Sequence, residues 1–310
     1  MNDKKVVVAL GHSALGDTFP SQKEAAKHSA QAIADIIEAG YRVVITHSNG
    51  TQVGMIHSAM REHSFFEPNN TVAPISICSA MSQGYIGYDL QNEIRTALFD
   101  RGIYRSVVTL VSQVRVDPFD PAFGTPTKLI GRVMDKDDAD KEIAKGNFVK
   151  EVEGGYRRII ATPKPMEIYE KDAINALLND NQVVIACGGG GIPVLQQGTR
   201  LKGASGVIEK DLAAECMAES VSADVLLLLT GVKKVCLNFQ KENQVELNKM
   251  TVAEAKKYIE EGHFQKGSML PKVEAALMFA ESQLGKRSII TSLDSALEGL
   301  EGKTGTVVTL

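Results

Sequence analysis

Four consecutive glycines, Gly188, Gly189, Gly190 and Gly191, follow the apolar run Gln182-Val183-Val184-Ile185-Ala186 and Cys187. That run reads as a buried strand. Glycines directly after it remove side chains and permit positive φ, so bare backbone N–H groups can line a concave site. In open α/β sheets ligands bind beyond the carboxyl ends of the strands, and phosphate is a common guest there. Two further glycine-bearing loops also follow apolar segments: Leu10-Gly11-His12-Ser13-Ala14 and Thr46-His47-Ser48-Asn49-Gly50-Thr51-Gln52. Together they predict one assembled phosphate site, with Gly11, His12, Ser13, Ser48, Asn49, Gly50, Gly188, Gly189 and Gly190 as its binding residues. Lysines stand where such a site can use them. Lys210 falls just before a helix beside Asp211, and Lys272 opens a helix after Gly267 and Pro271, so ammonium and helix dipole can face a phosphate together. Read without further support, Lys210-Asp211 is an exposed charged helix start.

Neither common nucleotide motif fits. The dinucleotide fingerprint G-x-G-x-x-G can be forced onto Gly188 and Gly190, but its third glycine position holds Pro193. Gly302-Lys303-Thr304 offers the tail of a P-loop, yet the preceding Gly299 is two residues too close, and the segment leads into a strand rather than out of one.

The elements that must position these loops alternate. Strands are expected over residues 5–10, 42–46, 182–186, 224–229, 287–291 and 305–309, with helices over 21–38, 51–62, 91–101, 211–220, 251–261 and 270–284. Residues 106–116 read as a strand or hairpin. Such alternation predicts an α/β fold with a mainly parallel sheet covered on both faces. From about Asp117 to Pro165 the pattern breaks: five prolines stand beside the charged run Asp135–Glu142, which suggests an excursion from the sheet. Pro126-Thr127-Lys128 and Tyr156-Arg157-Arg158 place cations at its edges, so a lobe there could close a phosphate site against water.

Composition bounds the function. The 310 residues carry 44% hydrophobic and 23% charged residues with a net charge of −4, ordinary values for a globular chain and no indication of nucleic-acid binding. No apolar run approaches the roughly 20 residues of a membrane helix. Cys78, Cys187, Cys216 and Cys236 are scattered without paired spacing and read as reduced, mostly buried residues of a cytoplasmic protein.

Along nearly its whole length the chain resembles the carbamate kinases of the amino-acid kinase superfamily. The resemblance rests on Ser82-Gln83-Gly84-Tyr85-Ile86-Gly87-Tyr88, Asp120-Pro121-Ala122-Phe123, Pro126-Thr127-Lys128, Tyr156-Arg157-Arg158 and Pro163-Lys164-Pro165. It continues through the glycine loop 188–194, Val207-Ile208-Glu209-Lys210-Asp211, Leu228-Leu229-Thr230-Gly231-Val232 and the segment Gly267–Ala276. It implies a three-layer αβα sandwich, one domain over 1–310 with a protruding subdomain or lid near 118–165, and a homodimer. It also implies reversible phosphoryl transfer between ATP and carbamate, giving ADP and carbamoyl phosphate with Mg²⁺ accompanying the nucleotide. By the family's pattern Lys210 and Lys272 contact ATP phosphates, and Asp211 orients them and helps place Mg²⁺. Lys128 reaches carbamate or the transferring group, while Thr230, Gly231 and Met269 line the nucleotide pocket. No general base is needed, because carbamate is already an anion.

The departures fall in the first two loops. The family's usual Gly-Gly-Asn-Ala is Gly11-His12-Ser13-Ala14, and its His-Gly-Asn-Gly-Pro-Gln is His47-Ser48-Asn49-Gly50-Thr51-Gln52. Elsewhere Leu129 stands for a proline and Lys233 for a common acidic residue. A β-carbon at residues 12 and 48 restricts φ and fills space beside phosphate. His12 either adds a cation near phosphate or points outward, and His47 reads as a structural hydrogen-bonding residue. Three readings stay open: an active carbamate kinase, a kinase for a related small acid, and a nucleotide-binding regulatory protein with little turnover.

Overall fold

The computed structural model describes residues 4–67 and 72–310. The chain runs β1 (Lys5–Leu10), α1 (Phe19–Glu38), β2 (Arg42–His47), α2 (Gly50–Phe66), α3 (Ile75–Phe99), β3 (Val107–Thr109) and β4 (Gln113–Val116). It continues through β5 (Lys128–Met134), α4 (Lys136–Ala144), β6 (Phe148–Val152), β7 (Gly155–Ile160), β8 (Pro165–Ile168), α5 (Lys171–Asn179) and β9 (Val183–Ile185). Next come β10 (Ile192–Gln197), β11 (Arg200–Gly203), α6 (Lys210–Ser220), β12 (Val225–Thr230), β13 (Val235–Leu237), β14 (Val245–Leu247) and β15 (Lys249–Thr251). The last elements are α7 (Val252–Glu260), α8 (Met269–Ser282), β16 (Arg287–Ser292), α9 (Ala296–Leu300) and β17 (Thr306–Thr309).

A sheet in the order β15-β17-β16-β12-β1-β2-β9-β3 forms the middle layer, and only β16 and β17 pair antiparallel within it. β1 shows why both faces are covered. Val6, Val8 and Leu10 pack into one core with α1, α3 and α9, while Val7 and Ala9 enter the other with α5, α6, α7 and α8. A strand apolar on both sides is what a parallel sheet between two helix layers demands. The result is the αβα sandwich that the sequence predicts. Caps fix the helix starts: Thr18 and Ser21 form a capping box on α1, and Thr251 and Glu254 form another on α7.

Three parts differ from the expectation. The helix expected over 91–101 is the end of α3, which begins at Ile75; its buried Ser79, Ser82 and Gln83 interrupt the apolar stripe and hid the first half. Residues 106–116 are no hairpin, since β3 joins the main sheet and β4 joins a second one, ordered β11-β10-β4-β8. β10 and β11, directly after the glycine loop, went unforeseen. Between β4 and β8 the chain builds a separate antiparallel sheet, β5-β7-β6, with α4 packed on it. Among the described residues no helix is long and apolar enough to cross a membrane, and the four cysteines are free, with Cys78, Cys187 and Cys236 buried.

On α6, Glu215 and Glu219 stand one turn apart, and Glu215 is only 5% exposed. Burial, and then the Glu219 carboxylate beside it, push Glu215 from 4.5 up to about 8. Its protonated form is therefore native, and the fold loses stability as pH climbs from the ordinary carboxyl range through about 8. Glu215→Gln removes that titration. Melting curves are expected to show a gain of a few degrees for the variant at pH 9 and none at pH 5. Equal gains at both pH values would refute the assignment.

Candidate active site

The three glycine-bearing loops converge at the carboxyl ends of β1, β2 and β9, under the lobe made by β5, β6 and β7. Between them lies a cavity of about 600 Å³. Its walls include Gly11, His12, Ser48, Asn49, Gly50 and Gly189 from the loops, Lys210, Asp211 and Lys272 from helix starts, and Lys128 and Arg157 from the lobe. α2 contributes His57 and Ser58.

The lysines and the aspartate form one cluster. Lys210 Nζ donates to Asp211 Oδ1 at 2.7 Å, and Lys272 Nζ donates to Oδ2 at 3.0 Å. Lys210 is 7% exposed and Asp211 2%, which rules out the exposed helix start. Burial drives Lys210 below the usual lysine range, although Asp211 works against it and Lys272 adds to the fall. For Asp211 burial acts upward, but Lys210 and Lys272 outweigh it and hold the carboxyl below its usual range. Two ammoniums on one carboxylate leave a net positive charge at the start of α6. Such a charge waits for an anion. Lys128 Nζ reaches Glu209 Oε2 at 3.2 Å in solvent, with half of its side chain exposed.

The tetraglycine loop has no room for side chains. A β-carbon on Gly188 would stand 2.3 Å from His47 Nε2, and one on Gly189 2.0 Å from Asn49 Nδ2. On Gly190 it would meet the Ile208 carbonyl oxygen at 2.3 Å. Gly189 and Gly190 also have positive φ, at 66° and 89°. α3 anchors this loop from behind: Gln83 Nε2 donates to the Gly188 carbonyl at 3.1 Å, and Ser112 N donates to Gln83 Oε1 at 2.9 Å. Ser112 Oγ in turn accepts from Cys187 N at 3.0 Å. Ser82 Oγ takes a hydrogen bond from Asn49 Nδ2 at 2.8 Å, tying the second loop to the same helix.

The substituted positions form contacts of their own. His12 Nε2 lies 2.9 Å from Asp17 Oδ1, and Thr51 Oγ1 donates to that same oxygen at 3.1 Å. His12 thus borders the cavity while its ring is held by a carboxylate that also binds the second loop. The Ser48 hydroxyl is buried without a partner. His47 is wholly buried; burial foremost lowers it to about 4, so the ring is neutral, and Nδ1–H donates to the Ser48 carbonyl at 2.9 Å. It acts as the structural group that its loop suggested. The backbone of residue 13 lies in a short 3₁₀ turn, His12–Ala14, and the Ser13 side chain lies outside the described ones.

Against known proteins, the sequence matches the model of the amino acid kinase family over residues 4–292. The chain belongs to the amino acid kinase family. It is similar to the carbamate kinase-like protein YqeA of Escherichia coli, 52% identical over 98% of this chain and 99% of that one. It is 47% identical to the carbamate kinase of Clostridium perfringens over the same shares. Among solved structures, carbamate kinase from Giardia lamblia bound to AMP-PNP superposes with a TM-score of 0.94 at 36% identity, over 99% of both chains.

In this amino acid kinase, most of the sequence-predicted site residues share one cavity, but not all. Gly188 and Gly190 are buried behind its wall, where they shape the loop. Thr230 and Gly231, at the carboxyl end of β12, and Met269, at the start of α8, do not line it. Ser82, Gln83 and Ser112 were not among the expected site residues; for Ser82 and Gln83 the signal was polar residues on an otherwise apolar helix, while Ser112 stands in the link between β3 and β4 with no such mark. Glu209, His57 and Arg157 were likewise not assigned. Among the described residues no three His, Cys, Asp or Glu side chains gather to hold a metal ion.

Proposed function

We infer that this protein is a carbamate kinase, transferring a phosphoryl group reversibly between ATP and carbamate, with ADP and carbamoyl phosphate on the other side. The observation that carries this reading is the pair of lysines on buried Asp211 at the mouth of a glycine-walled cavity, in a chain similar throughout to carbamate kinases.

Phosphoryl transfer asks the protein for position and positive charge, since the transferring group is already electrophilic and carbamate already anionic. Lys210 and Lys272, oriented by Asp211, would hold the nucleotide phosphates. The backbone N–H groups of Gly11, Asn49, Gly50 and Gly189 would face the transferring oxygens. Lys128, on the lobe, would exchange Glu209 for the transferring group or carbamate. In the direction toward ATP, an ADP β-phosphate oxygen attacks phosphorus, the bond from phosphorus to the carbamate oxygen breaks, and carbamate leaves. Thr230, Gly231 and Met269 would meet the nucleoside beyond the cavity. Mg²⁺ fits this arrangement as part of the nucleotide substrate. Both Asp211 oxygens are engaged by lysines, and Mg²⁺ is generally carried on phosphates with few protein ligands.

The same reading carries a cytoplasmic homodimer, working chiefly toward ATP in nitrogen-compound catabolism. Phe19, Ile77, Met81 and Tyr88, exposed on α1 and α3, suit a subunit contact. A second reading, a kinase for another small acid or a low-turnover regulatory protein, is favoured by one feature: the His12–Asp17–Thr51 contact at the substrate loops. A coupled assay for ATP from ADP and carbamoyl phosphate separates the two. Turnover of roughly 1–100 s⁻¹ is expected. ADP binding without turnover of carbamoyl phosphate would favour the second reading.

A further inference from the structure

Arg157 and Arg158 are consecutive on β7 and therefore point to opposite faces of the lobe sheet. Arg158 turns toward buried Glu142, 3.5 Å away, and donates to Asn147 Oδ1 at 2.9 Å. Arg157 has no such partner. Its side chain lines the main cavity, half-buried, and its Nε is buried without a hydrogen bond. No ion pair or hydrogen bond joins it to any described residue. An Nε–H withdrawn from water and left unpaired costs stability unless something else satisfies it, while the rest of the fork stays open to a ligand. What satisfies a planar fork of N–H donors best is a carboxylate or a phosphoryl group.

The position says which anion. The cavity spans from the Gly267, Ser268 and Lys272 side, next to β12 and β16, to the α2 side, beyond β2. Arg157 belongs to the lobe sheet whose β5 packs on α2, and His57 and Ser58 of α2 share its wall. The lysine cluster and the β12 end occupy the nucleotide side of the reading above, on which this inference rests. We propose that Arg157 binds the acid substrate, gripping the oxygens of carbamate or carbamoyl phosphate when the lobe meets them. Lys128 then supplies a point charge to the transferring group, and Arg157 supplies the oriented fork that distinguishes a planar acid from water.

The test compares Arg157→Gln, Arg157→Lys and Lys150→Gln. Lys150 is an exposed cation on β6 outside the cavity, in register with Arg157, and controls for bulk charge. In steady-state assays Arg157→Gln is expected to raise KM for carbamoyl phosphate roughly 10- to 100-fold, with KM for ADP unchanged within about twofold. Arg157→Lys recovers part of that loss, and Lys150→Gln changes neither constant. Arg157→Gln should keep or slightly raise the parent melting temperature, because no protein partner is lost and an unpaired buried donor is removed. Equal KM values for carbamoyl phosphate in parent and Arg157→Gln, or a parallel rise for ADP, would overturn the assignment. If the parent itself fails to turn over carbamoyl phosphate, the functional reading falls. Calorimetric titration of inorganic phosphate into the ADP-saturated protein then decides for Arg157. Binding lost in Arg157→Gln supports it, and equal affinity overturns it.

Discussion

Asp211→Asn is expected to lower turnover by on the order of 10³ and to destabilise the fold at the same time. The carboxylate is 2% exposed and accepts from two ammoniums, so its loss leaves Lys210 and Lys272 facing each other across a neutral amide. Breaking a buried ion cluster by removing one partner costs about 3–5 kcal/mol. Lys210, already held below its usual range by burial, would fall further without Asp211 and surrender the charge that phosphate needs. Lys210→Met gives the contrast. It leaves Asp211 paired with Lys272 and buries an apolar side chain in place of an ammonium. Turnover should still drop by on the order of 10²–10³, the usual effect of deleting one charge-stabilising donor, but with a much smaller loss of stability. Denaturant titrations beside steady-state kinetics measure both. A Lys210→Met variant with parental turnover would remove that lysine from the chemistry.

Gly189→Ala carries the second large effect. The new methyl would sit 2.0 Å from Asn49 Nδ2, in a residue with φ of 66°. Positive φ costs an L-residue about 1 kcal/mol, and the clash cannot be relieved by the glycine loop alone, since Gly188 and Gly190 are hemmed in by His47 and Ile208. Asn49 must move, which breaks its 2.8 Å hydrogen bond to Ser82 and displaces the second loop from the cavity wall. Stability should fall by about 1–3 kcal/mol, while kcat/KM falls by on the order of 10² or more, because a displacement of about 1 Å at a reacting site is that costly. Gly102→Ala is the control, as Gly102 has a similar φ of 69° but lies outside the cavity, and its β-carbon would meet nothing within 4 Å. Equal kinetic losses in both variants would show that crowding of the glycine loop is not the cause.

Much of this site could be read before the fold was known, for a physical reason. The loops that end parallel strands carry their chemistry in backbone, and backbone sites need glycine, which is visible in sequence. The strands themselves were legible because burial on both faces enforces unbroken Val, Ile and Leu, as in β1 and β12. What stayed hidden depended on distance in the chain. Gln83 holds Gly188 from 105 residues away, and nothing local marks it as more than a polar residue in a helix. The burial of Lys210 was equally unreadable, since a lysine at a helix start is ordinarily solvated and only packing against the other loops withdraws it. β10 and β11 were missed because Pro193, Gly198 and Gly203 read as loop, although β10 pairs with β4 and β11. The substituted loops show the limit most plainly. His12 was a cation or an outward ring from sequence; the structure gives it a carboxylate partner shared with Thr51 while it borders the cavity.

In the carbamate kinase reading, the cavity under the lobe moves a phosphoryl group from carbamoyl phosphate to ADP. Phosphorus NMR of the purified protein with carbamoyl phosphate, ADP and Mg²⁺ follows that group directly. The expected spectrum shows the carbamoyl phosphate signal replaced by the γ-phosphate of ATP, in equal amount and only when ADP is present. Carbamoyl phosphate that persists beside bound ADP, or that decays to inorganic phosphate at the same rate with and without ADP, would contradict the account.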